Sequence, residues 1–256
     1  MNYIKRALTI IGLTTGLALT AGNARAQLPK TTVQFDRGET GLVIVDPQVD
    51  FLSSKGVTWD IVGKSVEANH TVENIESLFK LAKANNIPVF ISPHYYYPWD
   101  HQWEFGGAGE TLMHKVGMFD RKGPLTLDGF QNSGADWMPQ YKPYINDGVT
   151  VIASPHKVYG PEANDLVLQL RKRRISKVIL AGMSANLCVE SHLRYLLEQG
   201  FEVAVVKDAT AAFQFPGLDG YAAALTNFQM LAGAVMTTEE VKQALNGHAA
   251  SNRTSE

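Results

Sequence analysis

The stretch KVILAGMSANLCVESHLRYLLEQG, residues 177–200, decides the fold that this sequence predicts, and it holds the single cysteine of the chain. Its apolar run at 178–180 is typical of a strand buried on both faces. From Leu187 the apolar residues recur at helical spacing until Gly200, which ends the helix. Cys188 therefore lies where a strand passes into a helix, at the sheet edge that binds ligands in parallel α/β folds. A helix N-terminus favours the thiolate, so the residue is either a nucleophile or a small buried apolar side chain.

The same alternation of short apolar strands with helices extends along the chain in both directions. Further strands are predicted at residues 41–45, 87–91, 149–153, 201–206 and 234–237. Helices are predicted at residues 65–85, 162–174, 218–231 and 238–245. This order predicts one α/β domain over residues 27–246, a Rossmann-like, doubly wound, six-stranded and mostly parallel sheet with helices on both faces.

The two ends of the chain differ from this pattern. Residues 1–26 combine a basic start, an apolar segment and the small-x-small sequence Ala24-Arg25-Ala26, which predicts a secretory signal peptide cleaved before Gln27. An uncleaved anchor is disfavoured because small residues and Asn23 interrupt the apolar run. The mature protein is therefore expected in the periplasm or outside the cell, without stable membrane anchoring. Residues 247–256 are polar and are predicted to be a disordered tail.

Composition narrows the classes of partner. Without its basic leader the chain is acidic overall, which argues against nucleic acid and anionic membranes as partners. One cysteine cannot form an internal disulfide. A single thiol in an exported protein is therefore more readily explained by a chemical role than by a structural one. A small-molecule substrate is expected.

Two more candidates leave strand ends at the same edge as Cys188. Asp46 follows the strand at 41–45, and Lys157 follows the strand at 149–153. Taken alone, an aspartate before proline starts a turn and a loop lysine is solvated. Asp50 is a weaker candidate because it lies further into the loop. Parallel strands bring their carboxyl ends together, so the three residues are predicted to meet.

The region of residues 93–146 is rich in glycine, proline and aromatic residues and predicts a long loop over the sheet edge. Its aromatic residues fit either a pocket wall or a contact with another subunit. His94 and His101 form a weak metal signal, and no metal is predicted. His192 is expected to be a packed or surface helix residue, and Asp208 to orient neighbouring loops.

Four segments together carry a family resemblance: GLVIVDPQVDF, ASPHKVYGPEANDLVLQLRKRRISKVILAG, MSANLCVESHLRYLLEQGFEVAVVKDATAAF and YAAALTNFQMLAGAVMTTEEV. In this order they resemble the isochorismatase-like cysteine hydrolases. The resemblance implies homodimers or homotetramers and a catalytic triad of Asp46, Lys157 and Cys188. It also implies an oxyanion hole made by the backbone N–H groups of Ser184 and Cys188, with a cis peptide at Met183–Ser184.

The resemblance further implies hydrolysis of the C–N bond of a small amide or carbamoyl compound, through a thioester and without a cofactor. Metal-dependent nicotinamidases of this superfamily carry Asp-Trp-His-Pro-x-x-His after the second strand, and here only Pro98 and His101 match. Two alternatives stay open, namely an isochorismatase-type vinyl-ether hydrolase, which does not need the thiol, and a non-catalytic binding protein. Candidate substrate-binding residues are Gln48, Phe51, Trp103, Phe105 and Phe119.

Overall fold

The computed structural model describes residues 27–251 and the side chains up to residue 246. The predicted signal peptide, residues 1–26, lies outside the described residues, as do residues 252–256 of the predicted tail. Residues 27–30 are exposed and have no regular secondary structure. The compact folded unit begins at Thr31.

One parallel sheet and one short hairpin contain the described strands. The strands are β1 (Thr40–Val45), β2 (Val89–Ser92), β3 (Val151–Ile152), β4 (Lys177–Gly182), β5 (Glu202–Thr210), β6 (Gln214–Phe215), β7 (Leu218–Asp219) and β8 (Ala234–Met236). Six of them form a sheet in the order β3-β2-β1-β4-β5-β8, in which every neighbouring pair is parallel. Strands β6 and β7 pair antiparallel. The predicted fold class is confirmed.

Helices connect the strands and cover both faces of the sheet. They are α1 (Val49–Leu52), α2 (Trp59–Ala68), α3 (Thr71–Ala84), α4 (Ala108–Val116), α5 (Lys142–Ile145), α6 (Leu166–Lys172), α7 (Glu190–Glu198), α8 (Gly220–Leu231) and α9 (Thr238–Ser251). Within residues 27–251, none of them has the length and apolar character that crossing a bilayer requires.

The order of strands creates a crevice between β1 and β4. The chain leaves β1 for β2 and β3 on one side and then returns to β4 on the other side. At such a reversal the loops at the carboxyl ends diverge and leave room for a ligand. Alternate β1 residues pack into two cores, Leu42 and Ile44 on one face of the sheet and Val43 and Val45 on the other. The crevice therefore opens from a rigid, doubly covered strand pair.

Two predicted segments, the helix at 65–85 and the tail at 247–256, differ most from the structure. The helix expected at 65–85 is broken into α2 and α3 at His70, whose φ is 50°. On either side of the break, the Asn69 and Asn74 side chains donate hydrogen bonds to backbone carbonyls of β5. The last helix continues to Ser251, so residues 247–251 of the predicted disordered tail are helical.

Candidate active site

Asp46 lies at the centre of the crevice, directly after β1. Its φ is 48°, and its backbone N–H donates to the Ser92 carbonyl at 3.0 Å. Its side chain is fully buried, and Oδ1 accepts a hydrogen bond from Nε2 of His156 at 2.9 Å. Burial raises the pKa of this carboxyl to about 7, although His94 and His192 nearby oppose the rise.

His156, and not Lys157, therefore contacts the carboxylate. The Lys157 ammonium pairs with Asp100, donates to the Tyr95 carbonyl at 3.0 Å and lies 3.7 Å from the ring centre of Tyr97. Within residues 27–251, no hydrogen bond or ion pair joins the Lys157 ammonium to Asp46. The place at which the family resemblance implied an ammonium is taken by an imidazole.

Three buried histidines surround the carboxylate. The ring centres of His94 and His156 are 4.6 Å apart, and those of His156 and His192 are 5.1 Å apart. Burial lowers the pKa of each of the three to about 3, so all are neutral at pH 7. His94 donates from Nε2 to the Lys157 carbonyl at 2.9 Å. A neutral imidazole that donates from one nitrogen keeps an acceptor lone pair on the other.

Cys188 lies in a π-helical turn, Ala185–Val189, that connects β4 to α7. The thiol is buried, donates to the Val158 carbonyl at 4.0 Å, and lies within 4.8 Å of a carboxylate oxygen of Asp46. Burial and the negative charge of Asp46 raise the pKa of the thiol well above its ordinary value, while the backbone amides of Ser184 and Cys188 lower it. The turn is held from behind by His192, whose Nδ1 donates to the Cys188 carbonyl at 2.7 Å and whose Nε2 bonds Ser92 Oγ at 2.7 Å.

The backbone between β4 and this turn approaches β1 closely. Gly182 has φ 115°, and a Cβ at this position would lie 2.0 Å from the Val45 carbonyl oxygen, so a side chain cannot be accommodated. The following Met183–Ser184 peptide bond is cis.

The other predicted binding residues divide into two groups. Gln48, Phe51 and Phe119 are buried beside the site; the Gln48 amide bridges the carbonyls of His94 and Ala135, at 2.8 and 3.1 Å. Trp103 and Phe105 are exposed, the latter by 88%. Only the first group lies next to the catalytic candidates.

A cavity of about 640 Å³ lies against the turn that holds Cys188. Asn186 and Leu187 form one side of it, and α4 with the β6–β7 hairpin forms the others. The wall is mainly apolar and includes Met113, Phe213 and Leu218. A molecule bound there would lie beside the residues that immediately precede the cysteine.

The site also contains a possible metal-ligand set. Asp46, His94, His156 and Cys188 each offer one ligand atom, and these four atoms lie within 4.8 Å of one another. Sequence reasoning missed His156 although it precedes Lys157. The pairing of β3 with β2 could have indicated this residue, because His156 forms a parallel bridge with His94 beyond the ends of the two strands.

Comparison with known proteins gives the same family at the level of sequence. A model of the isochorismatase domain matches residues 40–240. The ureidoacrylate amidohydrolase of Acinetobacter baylyi is 30% identical over 217 residues, which cover 81% of this chain and 84% of that protein. The ureidoacrylate amidohydrolase of Pseudomonas savastanoi pv. phaseolicola is 32% identical over 181 residues, covering 68% of this chain and 71% of that protein.

Solved structures share the fold. A cysteine hydrolase from Pseudomonas syringae pv. phaseolicola superposes with a TM-score of 0.70 at 21% identity, covering 87% of this chain and 99% of that one. A pyrazinamidase/nicotinamidase from Streptococcus mutans gives a TM-score of 0.56 at 21% identity, covering 77% and 99% of the two chains.

Proposed function

This chain belongs to the isochorismatase family, and we propose that it is a cysteine amidohydrolase that cleaves the C–N bond of a small amide or carbamoyl compound. The observation that carries the proposal is that the buried Sγ of Cys188 and a carboxylate oxygen of Asp46 lie within 4.8 Å of each other at the reversal point of the sheet. The named amidohydrolase relatives support the type of bond. Export of the enzyme is a further proposal that depends on residues 1–26 alone.

In the proposed first step, Asp46 accepts the proton of the Cys188 thiol as the sulfur attacks the substrate carbonyl. The thiol is neutral at rest because burial and the adjacent carboxyl raise its pKa, so transfer of the proton accompanies the attack. His156 holds Oδ1 of the carboxylate through its Nε2–H and leaves Oδ2 for this proton.

The backbone amides of Ser184 and Cys188 would accept the negative charge on the carbonyl oxygen. Hydrogen bonds from both amides lower the pKa of the Cys188 sulfur, which supports this role. One such donor is worth about 3 kcal/mol in an enclosed site. The C–N bond then breaks, and the nitrogen leaves with the proton held by Asp46.

Water completes the reaction. Asp46 takes a proton from a water molecule that attacks the thioester, and the thiolate leaves and regains that proton. The products are the carboxylic or carbamic acid and the free amine or ammonia. The apolar cavity beside Asn186 and Leu187 fits an apolar or aromatic part of the substrate.

The test is a screen of small amides, ureas and carbamates for release of ammonia or amine. Replacing the nucleophile in Cys188→Ala or Cys188→Ser should lower kcat/KM by at least about 10³-fold, and Asp46→Asn should do the same. Asp60→Asn, an exposed carboxylate on α2, is the matched control and should keep its turnover. Circular dichroism checks that each variant is folded.

Turnover that persists in Cys188→Ala would overturn the thiol mechanism. If a vinyl-ether substrate were still cleaved by that variant and lost in Asp46→Asn, the vinyl-ether alternative would replace it. Heat protection by a ligand, without turnover of any compound in the screen, would indicate a binding protein.

A further inference from the structure

The buried cluster contains more acceptor atoms than the proposed hydrolysis uses. Three buried atoms of the cluster make no hydrogen bond to the described residues, namely Oδ2 of Asp46, Nδ1 of His94 and Nδ1 of His156. The Sγ of Cys188 lies within 4.8 Å of a carboxylate oxygen of Asp46. Buried acceptors without a partner destabilise the folded protein, so a proton donor or a metal ion is expected to bind their lone pairs.

The protonation pattern of the histidines shows that these atoms are acceptors. His94 points Nε2 at the Lys157 carbonyl, which can only accept, so its proton is on Nε2. His156 directs Nε2 at Oδ1 of Asp46, and when this carboxylate is ionised it accepts the Nε2–H of His156. Both Nδ1 atoms therefore carry lone pairs, beside a carboxylate oxygen that also has one.

The structure assigns to this cluster a binding site for one zinc-like divalent transition-metal ion, with ligands from Asp46, His94, His156 and Cys188. One atom from each lies within 4.8 Å of the other three. Ligands around four-coordinate zinc lie roughly 3.3–3.8 Å apart, so closing on an ion needs shifts of about 1 Å. A ligand set of two imidazoles, one thiolate and one carboxylate suits zinc or cobalt better than it suits magnesium or calcium.

Two features around the cluster suit a metal. A ligating histidine commonly donates its second nitrogen to a carbonyl or carboxylate, as His94 does to Lys157. The ammonium of Lys157 is paired with Asp100. Within residues 27–251, no lysine or arginine contacts the Asp46 carboxylate. A metal ion would supply the positive charge that the lysine does not provide. The expectation of no metal, which the sequence favoured, is replaced by this proposal.

Binding the ion does not depend on the proposed hydrolysis, but it has a consequence for it. The thiol loses its proton to solvent when the sulfur becomes a ligand. Asp46 and Cys188 would then both be occupied by the metal. The ion-bound protein is therefore expected to hold its thiol in an unreactive form.

The experiment uses the chain from Gln27 onward, stripped with EDTA and titrated anaerobically with Co²⁺ and then Zn²⁺. We expect one Co²⁺ per chain, the visible bands of a four-coordinate ion and a near-ultraviolet thiolate-to-cobalt charge-transfer band. Cys188→Ser should lose the charge-transfer band, and His94→Gln should weaken binding at least about 10-fold. One equivalent of Zn²⁺ should slow alkylation of Cys188 by iodoacetamide, and EDTA should reverse this.

A second histidine pair provides the matched control. His101 and His114 are in contact through their Nδ1 atoms at 2.9 Å, away from Cys188, and His101→Gln should leave Co²⁺ binding unchanged. Loss of binding in His101→Gln, a missing charge-transfer band in the unmodified protein, or unchanged binding in both Cys188→Ser and His94→Gln would each overturn the site. Because metal binding and alkylation are read without a substrate, failure of the hydrolysis proposal would not be confused with failure of this one.

Discussion

The imidazole of His156 stabilises the Asp46 carboxylate in a different way from the ammonium that the family resemblance implied. An ammonium would hold the carboxylate ionised by its charge, whereas a neutral imidazole contributes one hydrogen bond. Burial is then the main influence on Asp46 and raises its pKa to about 7. The carboxyl is accordingly suited to accept and return a proton near neutral pH, which is what the proposed mechanism asks of it.

Replacing His156 and Lys157 one at a time tests which of the two side chains supports Asp46 in the reaction. His156→Ala removes the hydrogen bond to Oδ1 and should lower kcat/KM by about 10²-fold or more. Lys157→Met removes an ammonium held by Asp100 and should lower kcat/KM by less than about 10-fold. Steady-state kinetics on the substrate found in the screen compares them. A larger loss in Lys157→Met would restore the lysine that the family resemblance implied.

Asp46 and Cys188 could be found from the sequence because Asp46 directly follows the buried strand β1, and Cys188 lies in the short turn between the buried strand β4 and the helix α7. His156 could not be found in this way, since β3 has only two residues and the chain runs irregularly beyond it. In such a segment a shift of one residue changes which side chain faces the crevice. The orientation was fixed by the contact with His94, which belongs to another strand.

At the scale of elements, a buried carboxylate organises the 93–146 region, for which the sequence predicts a long loop with room for short helices. Asp50 lies in α1 and is 3% exposed. Its side chain accepts hydrogen bonds from the backbone N–H of Phe119 at 2.7 Å and of Val57 at 3.3 Å. It therefore ties the distant 93–146 region to the start of the site. Helix periodicity cannot reveal such a tie, because it joins residues far apart in sequence.

Removing that tie should destabilise the protein. Asp50→Ala leaves two backbone donors without their acceptor in the interior, and we expect a loss of about 3 kcal/mol in the free energy of unfolding. Urea denaturation measures it. Glu67→Ala, an exposed position on α2, is the control and should stay within about 0.5 kcal/mol. Equal effects in the two variants would contradict the role given to Asp50.

A second carboxylate links α3 to β3 and makes stability depend on pH. Burial alone would raise the pKa of Asp147, but hydrogen bonds from Lys83 and from the amides of Thr150 and Val149 lower it to about 2. Because the folded pKa lies below the ordinary value of 3.8, this group stabilises the fold above pH 4. The stabilisation is lost as the pH falls from about 4 to about 2.

Asp147→Asn should therefore be less stable than the unmodified protein at pH 6, by about 1 kcal/mol after allowance for solvent screening. The difference should disappear near pH 2. Urea unfolding curves at a series of pH values give both quantities. A difference that stays constant from pH 6 to pH 2 would show that the charge of Asp147 contributes nothing.

At the scale of the whole molecule, the sheet order explains why the strand pattern located the site. Buried strands of this kind pair in parallel, and right-handed crossovers leave few arrangements for six of them. The reversal between β1 and β4 then brings Asp46 and Cys188 together. The cavity was not predictable, because its walls come from α4 and a hairpin whose positions are set by packing rather than by a sequence period.

The sheet and the cavity wall should differ in rigidity, and hydrogen exchange can measure this. Strands β1 and β4 are central and almost wholly buried, so their amides should exchange only with large-scale unfolding. Strand β7 is exposed, with Leu218 at 68%, and should exchange much faster. Adding benzamide to Cys188→Ala protein, which cannot turn it over, should slow exchange in α4 and the hairpin because the aromatic ring fills the apolar cavity. Protection confined to other segments would move the substrate pocket away from Asn186, and the apolar substrate class with it.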